Sequence, residues 1–111
     1  MADNALVTDY PVHPVASVQK VLAAIHDPVR LEMVRRLHNA QGPLPCGALY
    51  DGINKSTATH HFKILREAGV TERRVIDGLT YQKLRRDEVE AALPGLLDSV
   101  VGGANRDAAR Q

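Results

Sequence analysis

A chain of 111 residues with 44% hydrophobic residues can close one domain, and with only 4% aromatics and no Trp its core must come from Leu, Val, Ile and Ala, which suits packed helices better than a sandwich. Net charge is +1 and there is one cysteine, Cys46, which excludes an intrachain disulfide framework and fits a reducing cytoplasmic setting. No apolar run approaches the roughly 20 residues of a membrane span, and the opening MADNALVTDYPVHP has no basic stretch ahead of an apolar one, so neither a membrane helix nor a signal peptide is expected.

Residues 1–14, with Pro11 and Pro14 and little periodicity, read as a flexible arm ahead of a domain at 15–100. Val15, Val18, Leu22 and Ile25 recur at spacings of three and four, the mark of an amphipathic helix. Asp27-Pro28 ends it at His26, because Asp is a good N-cap and Pro suits the first position of a new helix. That second helix runs to about His38, with Leu31, Val34 and Leu37 facing inward. Gly42, Pro43 and Pro45 force a loop, and a short helix at about Cys46–Asp51 buries Leu49 before Gly52. The segment Asn54–Ala68 follows, capped by Asn54, with Ala58, His61, Phe62, Leu65 and Ala68 on one face and Gly69 at the left-handed exit. Val70–Val75 and Leu79–Leu84 are two short strands, and Asp77-Gly78 between them is a hairpin turn signal. A last helix at about Asp87–Val100 is kinked or restarted at Pro94, and the tail at 101–111 reads as frayed.

Charge is unevenly placed along this order. Residues 54–86 hold eight Lys or Arg against Glu67, Glu72 and Asp77, a local +5, whereas residues 1–53 sum to −1 and 87–111 to −3. A basic block in a near-neutral chain is what a nucleic-acid surface requires, although a solvated charged face would look the same. The segment Asn54–Ala68 sharpens the reading. A helix fits the DNA major groove, and the residues of its first turns reach base edges. Here those are Lys55, Ser56, Thr57, Thr59 and His60, with Lys63 and Arg66 further along to hold phosphate. His61, the neighbour of His60, points elsewhere and is expected in the core. The hairpin adds Arg73 and Arg74 on one strand and Lys83, Arg85 and Arg86 on or near the other, a basic wing able to straddle the DNA backbone.

With those residues in view, HDPVRLEMVRRLH followed by CGALYDGINKSTATHHFKILREAGVTERRVIDGLTYQKL resembles the ArsR/SmtB family of bacterial winged-helix repressors, over about Val18 to Leu97. The resemblance implies a mostly α fold with a small β-hairpin wing, a winged helix-turn-helix in the order helices, hairpin, helix. It implies a homodimer built on the first and last helices, and double-stranded DNA as partner. The apolar stripes agree, since Val15, Val18, Leu22 and Ile25 with Val89, Leu93, Leu96, Leu97 and Val100 exceed what one small domain needs, and they are the expected dimer interface. A two-fold dimer calls for a pseudo-palindromic operator.

Many relatives of this type answer to a metal, but the residues argue otherwise here. The family's thiolate pair is reduced to the single Cys46 in Pro45-Cys46-Gly47-Ala48, and the last helix, Asp87–Val100, carries acids but neither His nor Cys. Tetrahedral zinc needs three or four ligands in reach, which Cys46 with His13, His26 or His38 would supply only by coincidence of folding. No metal and no cofactor are therefore expected. Cys46 reads first as a small buried residue, and as a thiol or metal sensor in the alternative reading. Otherwise the signal is an unidentified small molecule or protein. A winged helix serving as a protein-interaction module is the competing class. An enzyme is not expected: the chain has no Gly-rich phosphate loop, and Ser56 and His60 lack an acidic third member.

Overall fold

The structure, a computed structural model, describes residues 11–111, so most of the expected arm lies outside the described residues. Five α-helices and three short strands follow one another as α1 (Val18–His26), α2 (Pro28–Ala40), β1 (Leu44–Pro45), α3 (Lys55–Glu67), β2 (Thr71–Ile76), β3 (Leu79–Leu84), α4 (Arg86–Ala92) and α5 (Leu96–Ala109). The architecture is a winged helix, helical with a three-stranded antiparallel sheet in the order β1-β3-β2. The third strand was not foreseen: Leu44 pairs with Gln82 and Pro45 with Tyr81, at the sheet edge where a proline's missing N–H does no harm.

Local chemistry sets most boundaries. The Ser17 hydroxyl caps α1 by accepting from the Lys20 amide at 3.3 Å, so the helix starts at Val18 rather than Val15. Asp27 caps α2 by accepting from the amides of Val29 at 2.8 Å and Arg30 at 3.1 Å, with Pro28 in the first turn. Burial drives the Asp27 carboxyl upward, but these two backbone bonds and the charges of Arg30 and His61 outweigh it and hold the pKa below the ordinary value. Asp77 (φ 52°) and Gly78 (φ 81°) are both left-handed, the geometry of the two-residue hairpin turn, and Ile76 faces Leu79 across it.

The core joins Val21, Ala24 and Ile25 of α1 to Met33, Val34 and Leu37 of α2. Leu49, then Ala58, Phe62 and Leu65 of α3, and Val70, Leu84, Val89, Leu97 and Val101 complete it. Four expectations are corrected by this packing. Ile25, Val89 and Leu97 were assigned to a dimer interface, yet they are 5%, 0% and 3% exposed because each is needed inside the protomer. The expected helix at Cys46–Asp51 contracts to a 3₁₀ turn at Cys46–Ala48, since β1 holds the chain extended up to Pro45 and Gly52 reverses it at φ 75°. The tail at 101–111 is not frayed: α5 continues to Ala109. Val101 is buried, Asn105 exchanges side-chain hydrogen bonds with Asn39 at 2.9 and 3.0 Å, and the Arg35 guanidinium reaches it at 3.2 Å, so docking on α2 overrides the poor helix propensity of Gly102 and Gly103. Lastly, the end of the expected arm is tied down: the Ala16 amide donates to the Ala68 carbonyl at 3.0 Å, and Arg85 donates to the carbonyl of His13.

Candidate nucleic-acid interface

α3 owes its placement to both of its ends. At its start the Asn54 carboxamide oxygen accepts from the Thr57 amide at 2.8 Å and the Ser56 hydroxyl at 3.0 Å, satisfying one of the orphan amides of the first turn. At its end Gly69 (φ 80°) closes a Schellman motif, with the Val70 amide on the Leu65 carbonyl at 3.1 Å and the Gly69 amide on the Arg66 carbonyl at 3.0 Å. Ala58, Phe62 and Leu65 anchor the helix in the core. What remains outward is Ser56, Thr57, His60 and Lys63, with Lys55 and Thr59 turned one step toward the sheet, all six exposed. The Thr59 hydroxyl donates to the Lys55 carbonyl at 2.9 Å, which fixes its rotamer and leaves its oxygen lone pairs and methyl outward for a base edge.

His61 is only 13% exposed at its side chain, as expected of a core histidine. The Arg30 guanidinium donates to its Nδ1 at 2.8 Å, and because a guanidinium has no acceptor, Nδ1 must accept. Arg30 also donates through Nε to the Ala24 carbonyl at 2.5 Å, so one side chain joins α1, α2 and α3. The role of Arg30 in setting α3 was missed in the sequence. The available signal was its place in Asp27-Pro28-Val29-Arg30, three residues past the cap.

The sheet divides the expected wing residues. Arg73 lies on the ribbon face that also carries Thr80 and Gln82, and it lines a groove shared with Lys55, Thr59 and Arg66 of α3. Arg74 lies on the opposite face, its Nε 2.5 Å from the buried Glu72 carboxylate, and Lys83 stands across from Glu72 on that same face. Arg85 and Arg86 do not belong to the wing surface at all. Arg85 is 7% exposed and donates to the Gly69 carbonyl at 3.0 Å, while Arg86 donates to the His38 carbonyl at 3.0 Å. Of the basic block, then, the cations gathered beside the exposed face of α3 are Lys55, Lys63, Arg66 and Arg73.

Cys46 is half-buried and receives the Gln82 amide at 3.6 Å. Burial pushes its thiol pKa up, against the weaker pull of that bond and of the Arg73 and Lys55 charges, so the reactive thiolate is disfavoured. Among the described residues no three His, Cys, Asp or Glu side chains come together as metal ligands. His38 is paired instead with Asp98 at 3.1 Å.

A helix whose first turns are polar, exposed and flanked by cations on an adjoining β-ribbon has the form of a DNA-reading winged helix, and relatives agree. The helix-turn-helix domain family matches residues 25–74. The uncharacterised HTH-type transcriptional regulator YceK of Bacillus subtilis (strain 168) is 37% identical over 83 residues, covering 73% of this chain and 83% of the relative. The chain belongs to the helix-turn-helix transcriptional regulators. The regulator also matches the crystal structure of the transcriptional repressor BigR from Xylella fastidiosa, with a TM-score of 0.59 and 28% identity over 75% of this chain and 81% of that one. Among the described residues of the regulator no helix is long and apolar enough to cross a membrane.

Proposed function

We propose that this regulator is a repressor of the ArsR/SmtB type that binds a pseudo-palindromic operator as a homodimer and blocks transcription by occupying the promoter. The observation that carries the reading is the exposed first half of α3 beside Arg73 of the ribbon. Lys55, Ser56, Thr57, Thr59 and His60 read bases, and Lys63, Arg66 and Arg73 hold phosphate. Arg74 and Lys83 face away from α3 and stay outside this interface. The dimer is supported by Val18 and Leu22, 48% and 45% exposed on the outer side of α1. Beside them an apolar groove of about 410 Å³ runs between Leu22, Ile25, Leu31 and Val100. Two recognition helices related by a two-fold axis would enter major grooves about 34–36 Å apart.

Gel-shift titration with DNA from upstream of the regulator's own operon tests this. Wild type should bind tightly and lose affinity steeply with salt. Replacing Thr57 and Thr59 with Ala together should abolish the preference for that DNA, since each base contact is worth ~1–3 kcal/mol of discrimination. Binding indifferent to sequence, or unchanged by the double substitution, overturns the reading; a protein-interaction module would behave in the second way.

A further inference from the structure

The groove between α3 and the ribbon has a composition that a DNA backbone does not explain. It encloses about 670 Å³, and three cations, Lys55, Arg66 and Arg73, stand along it. Its walls are apolar. Tyr50 and Phe62 meet edge to face with ring centroids 6.1 Å apart, and Leu79, 61% exposed at the ribbon tip, closes the other side. Gln82 contributes to the floor; it is 2% exposed, its amide nitrogen donates to Cys46, and its Oε1 is buried without a hydrogen-bond partner. A phosphodiester can use the cations, but it offers nothing to the aromatic walls and carries no donor for the Gln82 carbonyl. A flat apolar body bearing one acidic group and one hydroxyl satisfies all three features.

We propose that this groove is a binding site for a hydroxylated aromatic carboxylate. The carboxylate sits against Arg73, with Arg66 and Lys55 alongside, because a guanidinium presents paired donors to a planar acid. The ring lies between Phe62 and Leu79. The hydroxyl donates to Gln82 Oε1. Such a ligand takes up cations that DNA also requires, so the two exclude each other. Ligand at about 100 times its dissociation constant then lowers DNA affinity about 100-fold. The binding claim stands on the groove alone; its consequence for DNA rests on the repressor reading.

The test is titration of the full chain with a hydroxynaphthoate, followed by calorimetry and by amide chemical shifts, without DNA. Wild type should bind, with shifts centred on Arg73, Leu79 and the Gln82 side chain. Naphthol, which lacks the acid, and naphthoate, which lacks the hydroxyl, should each bind at least about 10-fold more weakly, one strong hydrogen bond or ion pair being worth that much. Arg73→Gln and Leu79→Ser, both at partly or fully exposed positions, should weaken binding similarly while keeping the wild-type melting curve. No binding up to millimolar concentration, shifts confined to Val18 and Leu22 on α1, or equal affinity in both variants overturns the proposal. Release of operator DNA by the same compound is measured separately, so a protein that binds the compound but no specific DNA refutes only the repressor reading.

Discussion

Glu32 sits on α2 between two arginines of its own helix. Arg35 donates to it through two nitrogens at 2.9 Å, Arg36 through Nε at 2.7 Å, and Arg36 reaches on to Asp51 at 2.6 Å. The Arg35 hydrogen bonds foremost, opposed by burial and aided by Arg36, bring its carboxyl from 4.5 down to about 2. A depressed carboxylate stabilises the fold while it is ionised. Its contribution is therefore whole above 4.5 and disappears as the pH falls toward about 2. Water reaches 35% of the side chain, and screening limits the effect to about 1 kcal/mol. Glu32→Gln should lower the urea midpoint at neutral pH by that amount, and the two proteins should converge through the acid range. A constant gap at all pH values would mean that packing, not charge, is lost. The spacing of Glu32 to Arg35 and Arg36 was visible in the sequence, but the third partner, Asp51, lies 15 residues away and had no local signal.

At the scale of elements, the junction from α3 into β2 carries the most constraint. Gly69 is left-handed, and a Cβ there would stand 2.3 Å from the Pro14 carbonyl oxygen and 2.6 Å from the Val15 Cα. Both are backbone atoms, so nothing can swing aside. Gly69→Ala should cost about 2 kcal/mol or more, from unfavourable φ and from expelling the N-terminal segment, and should lower Tm by several degrees. A melt within a degree of wild type would show that the segment crosses the junction only loosely. The need for a left-handed residue was legible from Ala68-Gly69 at the end of a periodic helix. The close crossing was not, because it joins residues more than 50 positions apart, a separation at which local patterns carry no information. The hairpin shows the contrast: Asp77-Gly78 predicted its turn, and the observed strands Thr71–Ile76 and Leu79–Leu84 differ from expectation by one residue on the first.

For the whole molecule, burial separates two stripes that period alone had merged. α1 presents Val21, Ala24 and Ile25 to the core and leaves Val18 and Leu22 outside. Leu22→Asp should therefore shift a dimer to monomer in sedimentation with the helical circular dichroism retained, whereas Val89→Asp, at a position 0% exposed, should unfold the chain. A Leu22→Asp protein that remained dimeric would place the two-fold contact elsewhere.

Interactions among residues a few positions apart made the caps at Asp27 and Asn54, the left-handed exit at Gly69, the Asp77-Gly78 turn and the polar first turns of α3 readable from the chain alone. Three further matters depended on long-range packing. The first was which arginines border α3, since Arg74, Arg85 and Arg86 answer a carboxylate or carbonyls that only folding brings near. The second was the helical course of 101–109, held by Asn39 and Arg35 of α2. The third was the groove joining Tyr50, Phe62, Leu79 and Gln82, whose walls come from four separate segments. Local hydrogen bonds and turn preferences are written into neighbouring residues; burial and partner choice arise when distant segments compete for the same interior, and charge density along the chain does not record that competition.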